Sequence, residues 1–321
     1  MSRAIADLIE LGGAGLFVVD LSEGEAPPSG AGVVCVGIHE DGRRPAGGFD
    51  ACDILLTRDE AAPAPWVSAP DLDAAMERIA AQVEAQPAAC AAAAQVIRAS
   101  LQLSFEQALA QESLAYSMLL ASDGFRAWRA ANPPRQRPHD PAPRVLVGEA
   151  DGALTLRLNR PAARNAFDAR MRDELCEALA FAIAHPDAPP VILSGEGPAF
   201  SAGGDLDEFG SAADPGEAHL IRTLRSPARL VRDLGDRITT RLHGACVGAG
   251  IEVPAAAHRV VARDGAFFRL PEVSMGLIPG AGGTATIPRR IGRHRAAFMA
   301  ISGLDIDVQT ALGWGLADAV E

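Results

Sequence analysis

The chain has 321 residues and a formal net charge of −12, a balance that argues against nucleic acid as the main partner because phosphate backbones require basic patches. Hydrophobic residues make up 48 % and aromatics only 5 %, so any core must be built from Ala, Val, Leu and Ile. All 29 basic residues are Arg, which excludes a Schiff-base or P-loop lysine and leaves phosphate contacts to the planar guanidinium.

The N-terminal apolar run carries Asp7 and Glu10, which makes it a poor signal peptide. Residues 1–65 read as a small α/β piece. Leu16–Val19, Val33–Ile38 and Asp53–Thr57 are short β-branched runs bounded by Gly, Pro and charge, the pattern of buried strands. No catalytic constellation stands among them, and their role is open. Ala61 to Pro70 reads as a Pro/Ala linker. Residues 71–134 read as helical. Asp71 is placed to cap a first helix, an Ala-rich helix runs from Pro87 to Ala99, and Ser104 with Gln107 offers a capping box for the next. Tyr116, the only tyrosine, sits at core spacing on that last helix and reads as packing. Residues 132–143 hold five prolines in twelve positions, a composition that suits a second linker.

From residue 143 to 321 strands and helices alternate, which points to a layered α/β arrangement. Arg144–Val147 and Ala153–Leu158 are strands joined at Asp151-Gly152. Asp168 opens an amphipathic helix with Met171, Leu175, Leu179 and Ile183 on one face. Pro190–Ser194 is a strand, Glu217–Leu234 is helical with a break near Pro227, and Ile238–Leu242 is a strand. The five cysteines, Cys35, Cys52, Cys90, Cys176 and Cys246, are odd in number and never spaced C-x-x-C. Reduced thiols in a cytoplasmic protein fit that pattern, and a zinc site does not. No run of about eighteen apolar residues is present, so no membrane-spanning segment is expected.

The stretch Leu242–Thr284 carries the chemistry. A Gly/Ala loop leads directly into Glu252, and a strand-like run ends in Pro271-Glu272 before a second Gly-rich loop, Gly280–Gly283. Two carboxylates beside backbone that can approach a ligand closely suggest an acid/base site. Each glutamate alone has a plainer reading, Glu252 as a helix cap and Glu272 as a surface carboxylate at a turn.

Four motifs in order, Leu158-Asn159-Arg160-Pro161 with Asn165-Ala166, then Ala199 to Leu206, then His243-Gly244 through Glu252, then Leu270-Pro271-Glu272 through Gly283, resemble the crotonase (enoyl-CoA hydratase/isomerase) superfamily. The resemblance implies a crotonase fold, a repeated β-β-α spiral of the ClpP-like kind, assembled as a homotrimer or hexamer and acting on acyl-CoA thioesters. It implies no cofactor beyond the CoA of the substrate and no metal. The backbone N–H groups at Gly204 and Ala249 match the family's oxyanion hole; Ala249 stands where the family commonly has Gly. Glu252 and Glu272 match both hydratase glutamates, Glu252 for the water and Glu272 for the proton at the α carbon. Close together in a partly dry pocket, they should titrate as a coupled pair.

By the same resemblance, Ala163, Arg164, Ala166, Ala202, Asp205, Leu206, Gly248, Pro271 and Gly280 are expected along the acyl-CoA groove. Asp205 also reads as structural, and Arg164 as a surface salt-bridge partner. Basic residues common in the family are replaced by Ala162, Asp207 and Glu208. His243 replaces a common Asn and reads as buried and hydrogen-bonded rather than catalytic, and Cys246 as packing. Family members continue with covering helices past the segment matching Gly315–Val320, whereas residues 71–134 look like those helices. A circular permutation, or the remains of a tandem fusion, is therefore expected. Enoyl-CoA hydration is the first functional reading. Isomerase, other acyl-CoA lyase or thioesterase activity, and a non-catalytic acyl-CoA-binding subunit are the alternatives.

Overall fold

The computed structural model describes residues 15–22, 34–42, 49–136 and 140–321. The N-terminal run with Asp7 and Glu10, Val33, and residues 137–139 of the second linker lie outside them.

The first three apolar runs form strands β1 (Leu16–Asp20), β2 (Val34–Ile38) and β3 (Ile54–Thr57). Strand β4 (Val67–Ser68) lies inside the stretch expected to be a linker. The reason is Trp66, which is fully packed in a small cluster with Cys52 and Leu55 and draws the Pro/Ala segment onto the sheet. The four strands pair in parallel in the order β1-β2-β3-β4. Every residue of β2 and β3 is buried, which is why both read as unbroken apolar runs rather than alternating ones.

Four helices follow. They are α1 (Leu72–Ala85), α2 (Pro87–Ser100), α3 (Phe105–Leu120) and α4 (Asp123–Ala131). Asp71 caps α1 by accepting from the Ala74 N–H, and Ser104 with Gln107 forms the full capping box of α3. Small residues on α2 (Ala89, Cys90, Ala93 and Ala94) are buried and let it lie close to its neighbours.

The remainder begins with a hairpin, β5 (Val145–Ala150) and β6 (Ala153–Leu158), turning at Asp151 and Gly152, both at positive φ. Next come α5 (Ala169–Ala184), β7 (Val191–Gly195), α6 (Pro215–Leu224) and α7 (Pro227–Asp233). Met171, Leu175 and Leu179 of α5 are buried as expected, but Ile183, in the last turn of the helix, is 37 % exposed. Two strand–strand–helix turns follow: β8 (Ile238–Leu242), β9 (Ala245–Val247) and α8 (Ala249–Glu252), then β10 (Arg259–Ala262), β11 (Phe267–Arg269) and α9 (Gly283–Ile291). The chain closes with α10 (Arg293–Ser302), β12 (Ile306–Asp307), α11 (Val308–Trp314) and β13 (Ala319–Val320).

First strands of each turn join a six-stranded sheet ordered β13-β10-β8-β7-β6-β5, and second strands join a smaller sheet ordered β12-β11-β9. This is the β-β-α spiral anticipated from the motifs. Helix α2 packs on α9 and α10, and α3 packs on α9 and α6, all within one chain. One apolar cluster runs from Leu16 to Ala317 and draws on the N-terminal strands, the helices and the spiral alike. Arg side chains tie these parts together: Arg293 donates to Cys52 O at 2.8 Å, Arg295 to Trp66 O at 2.9 Å, and Arg78 to Ser302 O at 2.8 Å. The five cysteines are buried and form no disulfide. Among the described residues, no helix is long and apolar enough to cross a membrane.

Candidate active site

A cavity of about 390 Å³ opens between α3, α6 and the spiral. Gly204, Asp205, Ala249, Glu252, Glu272 and Gly280 line it. Ala163, Arg164, Ala166, Ala202, Leu206, Gly248 and Pro271 are not in its wall; several of them build the loops behind it. Asn165 is the hub of that layer. Its side-chain amide donates to Glu196 O, Ala199 O and Phe200 O, while its carbonyl accepts from the Arg160 N–H. Arg164 and Asn165 sit at φ 50° and 53°, and Arg164 O accepts from the Ala202 N–H at 2.8 Å. These bonds aim the loop that carries Gly204. Asp205 is held by Arg160 at 2.6 Å, the structural role weighed for it. His243 bonds Gly197 O through Nε2 at 2.9 Å, and Cys246 is fully buried.

Gly203 (φ 92°) must be glycine, since a Cβ there would sit 2.8 Å from Val247 O. The close approach brings the loop of Gly204 against the start of α8, where Ala249 lies. Among the described residues, the N–H groups of Gly204 and Ala249 donate to no acceptor. Ala249 is buried and Gly204 half-buried, and both line the cavity, so their unused N–H groups are open to an acceptor placed there.

The glutamates differ in their surroundings. Glu252 is buried, and its Oε2 accepts from the Ala281 N–H at 2.7 Å and the Gly283 N–H at 2.9 Å. Burial raises its pKa to about 7, and the two N–H bonds oppose that rise only in part. Glu272 is buried in a short 3₁₀ turn, and among the described residues its Oε2 has no hydrogen-bond partner. Burial raises its pKa well above the usual carboxylate range, and the neighbouring Glu252 charge raises it further. The two approach each other across Gly248, whose Cβ, if present, would lie 2.3 Å from Glu272 Oε1 and 3.7 Å from Glu252 Oε1. The arrangement therefore brings two unused backbone N–H groups together with two buried carboxyls, both shifted toward protonation, of which only Glu252 has N–H bonds that oppose the shift.

The family model described as enoyl-CoA hydratase/isomerase matches residues 148–321. The chain belongs to the enoyl-CoA hydratase/isomerase family. A 2,3-dehydroadipyl-CoA hydratase from Escherichia coli is 34 % identical over 55 % of this chain and 68 % of its own length. A mevalonyl-coenzyme A hydratase from Beauveria bassiana is 32 % identical over 56 % of this chain and 64 % of its own. The chain thus spans about two thirds of the length of such relatives. Among solved structures, the enoyl-CoA hydratase of Thermoplasma volcanium is 30 % identical, with a TM-score of 0.52 over 56 % of this chain and 72 % of its own. These likenesses show the crotonase fold for the spiral.

Outside the stretch matched by the enoyl-CoA hydratase/isomerase model, helix α3 brings residues that sequence reasoning missed. Glu112 is 2 % exposed and reaches the same Gly-rich loop from the opposite side. It accepts from the Gly282 N–H at 2.7 Å, the Thr284 N–H at 2.8 Å and the Thr284 hydroxyl at 2.7 Å. Successive N–H groups at the start of α9 thus alternate between Glu252 and Glu112, and both carboxylates serve the open N–H end of a helix. Burial and the Glu252 charge raise the Glu112 pKa, against the pull of those bonds. Tyr116, read from sequence as packing, lies in the cavity wall, where a Cβ on Gly280 would meet its ring at 2.5 Å. Helix α4 backs the other glutamate: Gly276, which ends the 3₁₀ turn of Glu272, packs on Gly124 and Phe125. Only the capping box of α3 was a usable signal for this segment; nothing in its spacing names Glu112.

Proposed function

We propose that the protein is an enoyl-CoA hydratase, adding water across the 2,3 double bond of an enoyl-CoA thioester. The observation that carries the reading is the contrast between the glutamates, with Glu252 fixed by two backbone N–H groups and Glu272 left with a bare, buried Oε2. Ionised Glu252 orients water and takes a proton as its oxygen bonds the β carbon. Protonated Glu272 delivers its proton to the α carbon. The N–H groups of Gly204 and Ala249 hold the thioester oxygen as it gains negative charge, a contribution of about 3–4 kcal/mol per donor. After product leaves, exchange with water returns the proton from Glu252 and restores that on Glu272. No cofactor enters this scheme beyond the CoA of the substrate. Arg164 and the loop around Ala163, Ala166, Ala202 and Leu206 belong, in this reading, to the CoA side of the groove. The relatives named as hydratases support the reaction class.

Helices α1–α4 fill, in this reading, the place of the family's covering helices, encoded before the spiral instead of after it. Their bracing of both glutamates supports that assignment.

The test is turnover of enoyl thioesters, followed by loss of the conjugated absorbance and by mass gain of one water. Glu252→Gln and Glu272→Gln should each lower kcat by about 10²–10⁴-fold. Wild-type rates in both variants would overturn the mechanism. CoA binding without turnover of any enoyl thioester would favour a non-catalytic acyl-CoA-binding protein.

A further inference from the structure

Arg222 on α6 lines the same cavity and has no role in the chemistry above. It is half-buried, and its guanidinium Cζ lies 4.8 Å from the centre of the Tyr116 ring. Nε donates to the Ser113 hydroxyl at 3.0 Å, and Nη2 donates to Ser113 O at 3.3 Å and to the Ser117 hydroxyl. The Ser113 hydroxyl also lies 2.9 Å from His219 Nδ1. Among the described residues, Arg222 pairs with no carboxylate and its Nη1 has no acceptor. The other cavity arginines differ, since Arg172 bonds Asp173 and Arg225 faces Glu177. Taking a guanidinium out of water is costly unless an anion compensates, and neutral hydroxyls with a ring face compensate only in part. A guanidinium with a free Nη1 and no carboxylate partner suits capture of a carboxylate by a charge-assisted N–H bond.

We infer that Arg222, seated on Tyr116 and Ser113, is a specificity residue that binds a carboxylate at the far end of the acyl chain. The substrate class is then an enoyl-CoA whose acyl group carries a second, terminal carboxylate. Tyr116 links this feature to the reaction centre, because its ring meets Gly280 of the glutamate-holding loop and carries Arg222 on its face. The inference rests on the acyl-CoA reading of the cavity, but its test does not depend on turnover.

The experiment measures binding by calorimetry, using the saturated α,ω-dicarboxylyl-CoA thioesters of four, five and six acyl carbons and the ω-methyl ester of each. In the wild-type protein, the free acid should bind at least about ten-fold tighter than its ester at one chain length, about 1.4 kcal/mol. Arg222→Gln should bring that ratio to about one while leaving ester affinity unchanged. Equal binding of acid and ester by the wild type at all three lengths would overturn the inference, with no variant needed. An equal loss for both ligands in Arg222→Gln would overturn it too, and would place the side chain on the CoA phosphates. Should Arg222→Gln fail to fold, Arg222→Lys keeps the charge without the fork and should lose part of the ratio. Failure of the hydratase reading shows separately, as absence of water addition to any enoyl thioester by a protein that still prefers the free acid.

Discussion

The N-terminal sheet and the cavity each hold a buried carboxylate, and the two are treated in opposite ways. Asp53, 2 % exposed, accepts from the Cys35 N–H at 2.9 Å and from both arms of the Arg98 fork at 2.8–3.0 Å. Glu272, 6 % exposed, has an oxygen with no partner among the described residues and a second carboxylate beside it. Burial raises both pKa values; at Asp53 the N–H and guanidinium oppose the rise, and at Glu272 the neighbouring charge adds to it. Burial of a charge therefore does not by itself mark a site. At Glu272 burial is joined to incomplete pairing and to a second carboxylate, a combination that Asp53 does not have.

The largest expected effect comes from removing one side of the comparison. Deleting residues 1–140 strips Glu112, Tyr116 and the cover of α9 and α10, and should leave insoluble or inactive protein. A soluble, active core of normal oligomeric size would remove the case for α1–α4 as permuted covering helices. Asp53→Ala comes next. It leaves Arg98 without its carboxylate and should cost about 2–4 kcal/mol in denaturant unfolding, a value discounted because Arg98 is about a third exposed. The rate per folded molecule should not change. Glu272→Gln should do the reverse, removing turnover while leaving stability equal or higher.

Glu112 tests whether the helix serves the site or only the fold. Glu112→Gln turns an N–H₂ group toward backbone donors and should cost about 1–3 kcal/mol. If the brace positions Glu252, kcat should fall with KM nearly unchanged; a stability loss with unaltered kcat would assign Glu112 to the fold alone. The smallest effect concerns pH. Glu112, Glu252 and Glu272 all have folded-state pKa values raised above 4.5. The folded chain thus holds protons that the unfolded chain has released. The stability so gained is fully present below about pH 4.5 and is lost as pH rises through the folded values. The melting temperature of unliganded protein should fall between about pH 5 and about pH 8, and fall less in Glu272→Gln. Equal slopes would show that Glu272 is not held protonated.

The spiral was legible because its motifs are local. Gly203, Gly248 and Gly283 are needed where backbone meets backbone or a glutamate, and Asn165 must sit within reach of the loop it fastens, so spacing survives in the sequence. The linker reading of Ala61–Pro70 failed because Trp66 is buried by residues the local pattern does not show. The helix read across Glu217–Leu234 is divided at Arg225 and Ser226, and Pro227 begins the second part, close to the expected break.

By itself, then, the sequence determined the spiral, its Gly-rich loops and the placing of Glu252 and Glu272 beside them, since each rests on residues a few positions apart. Only the tertiary structure decided that Glu112 shares the Glu252 loop, 170 positions away in the chain, and that Tyr116 and Arg222 meet at the cavity wall. Those contacts arise because α3 buries its apolar face on α6 and α9, and helical packing fixes which of its polar residues turn toward the cavity.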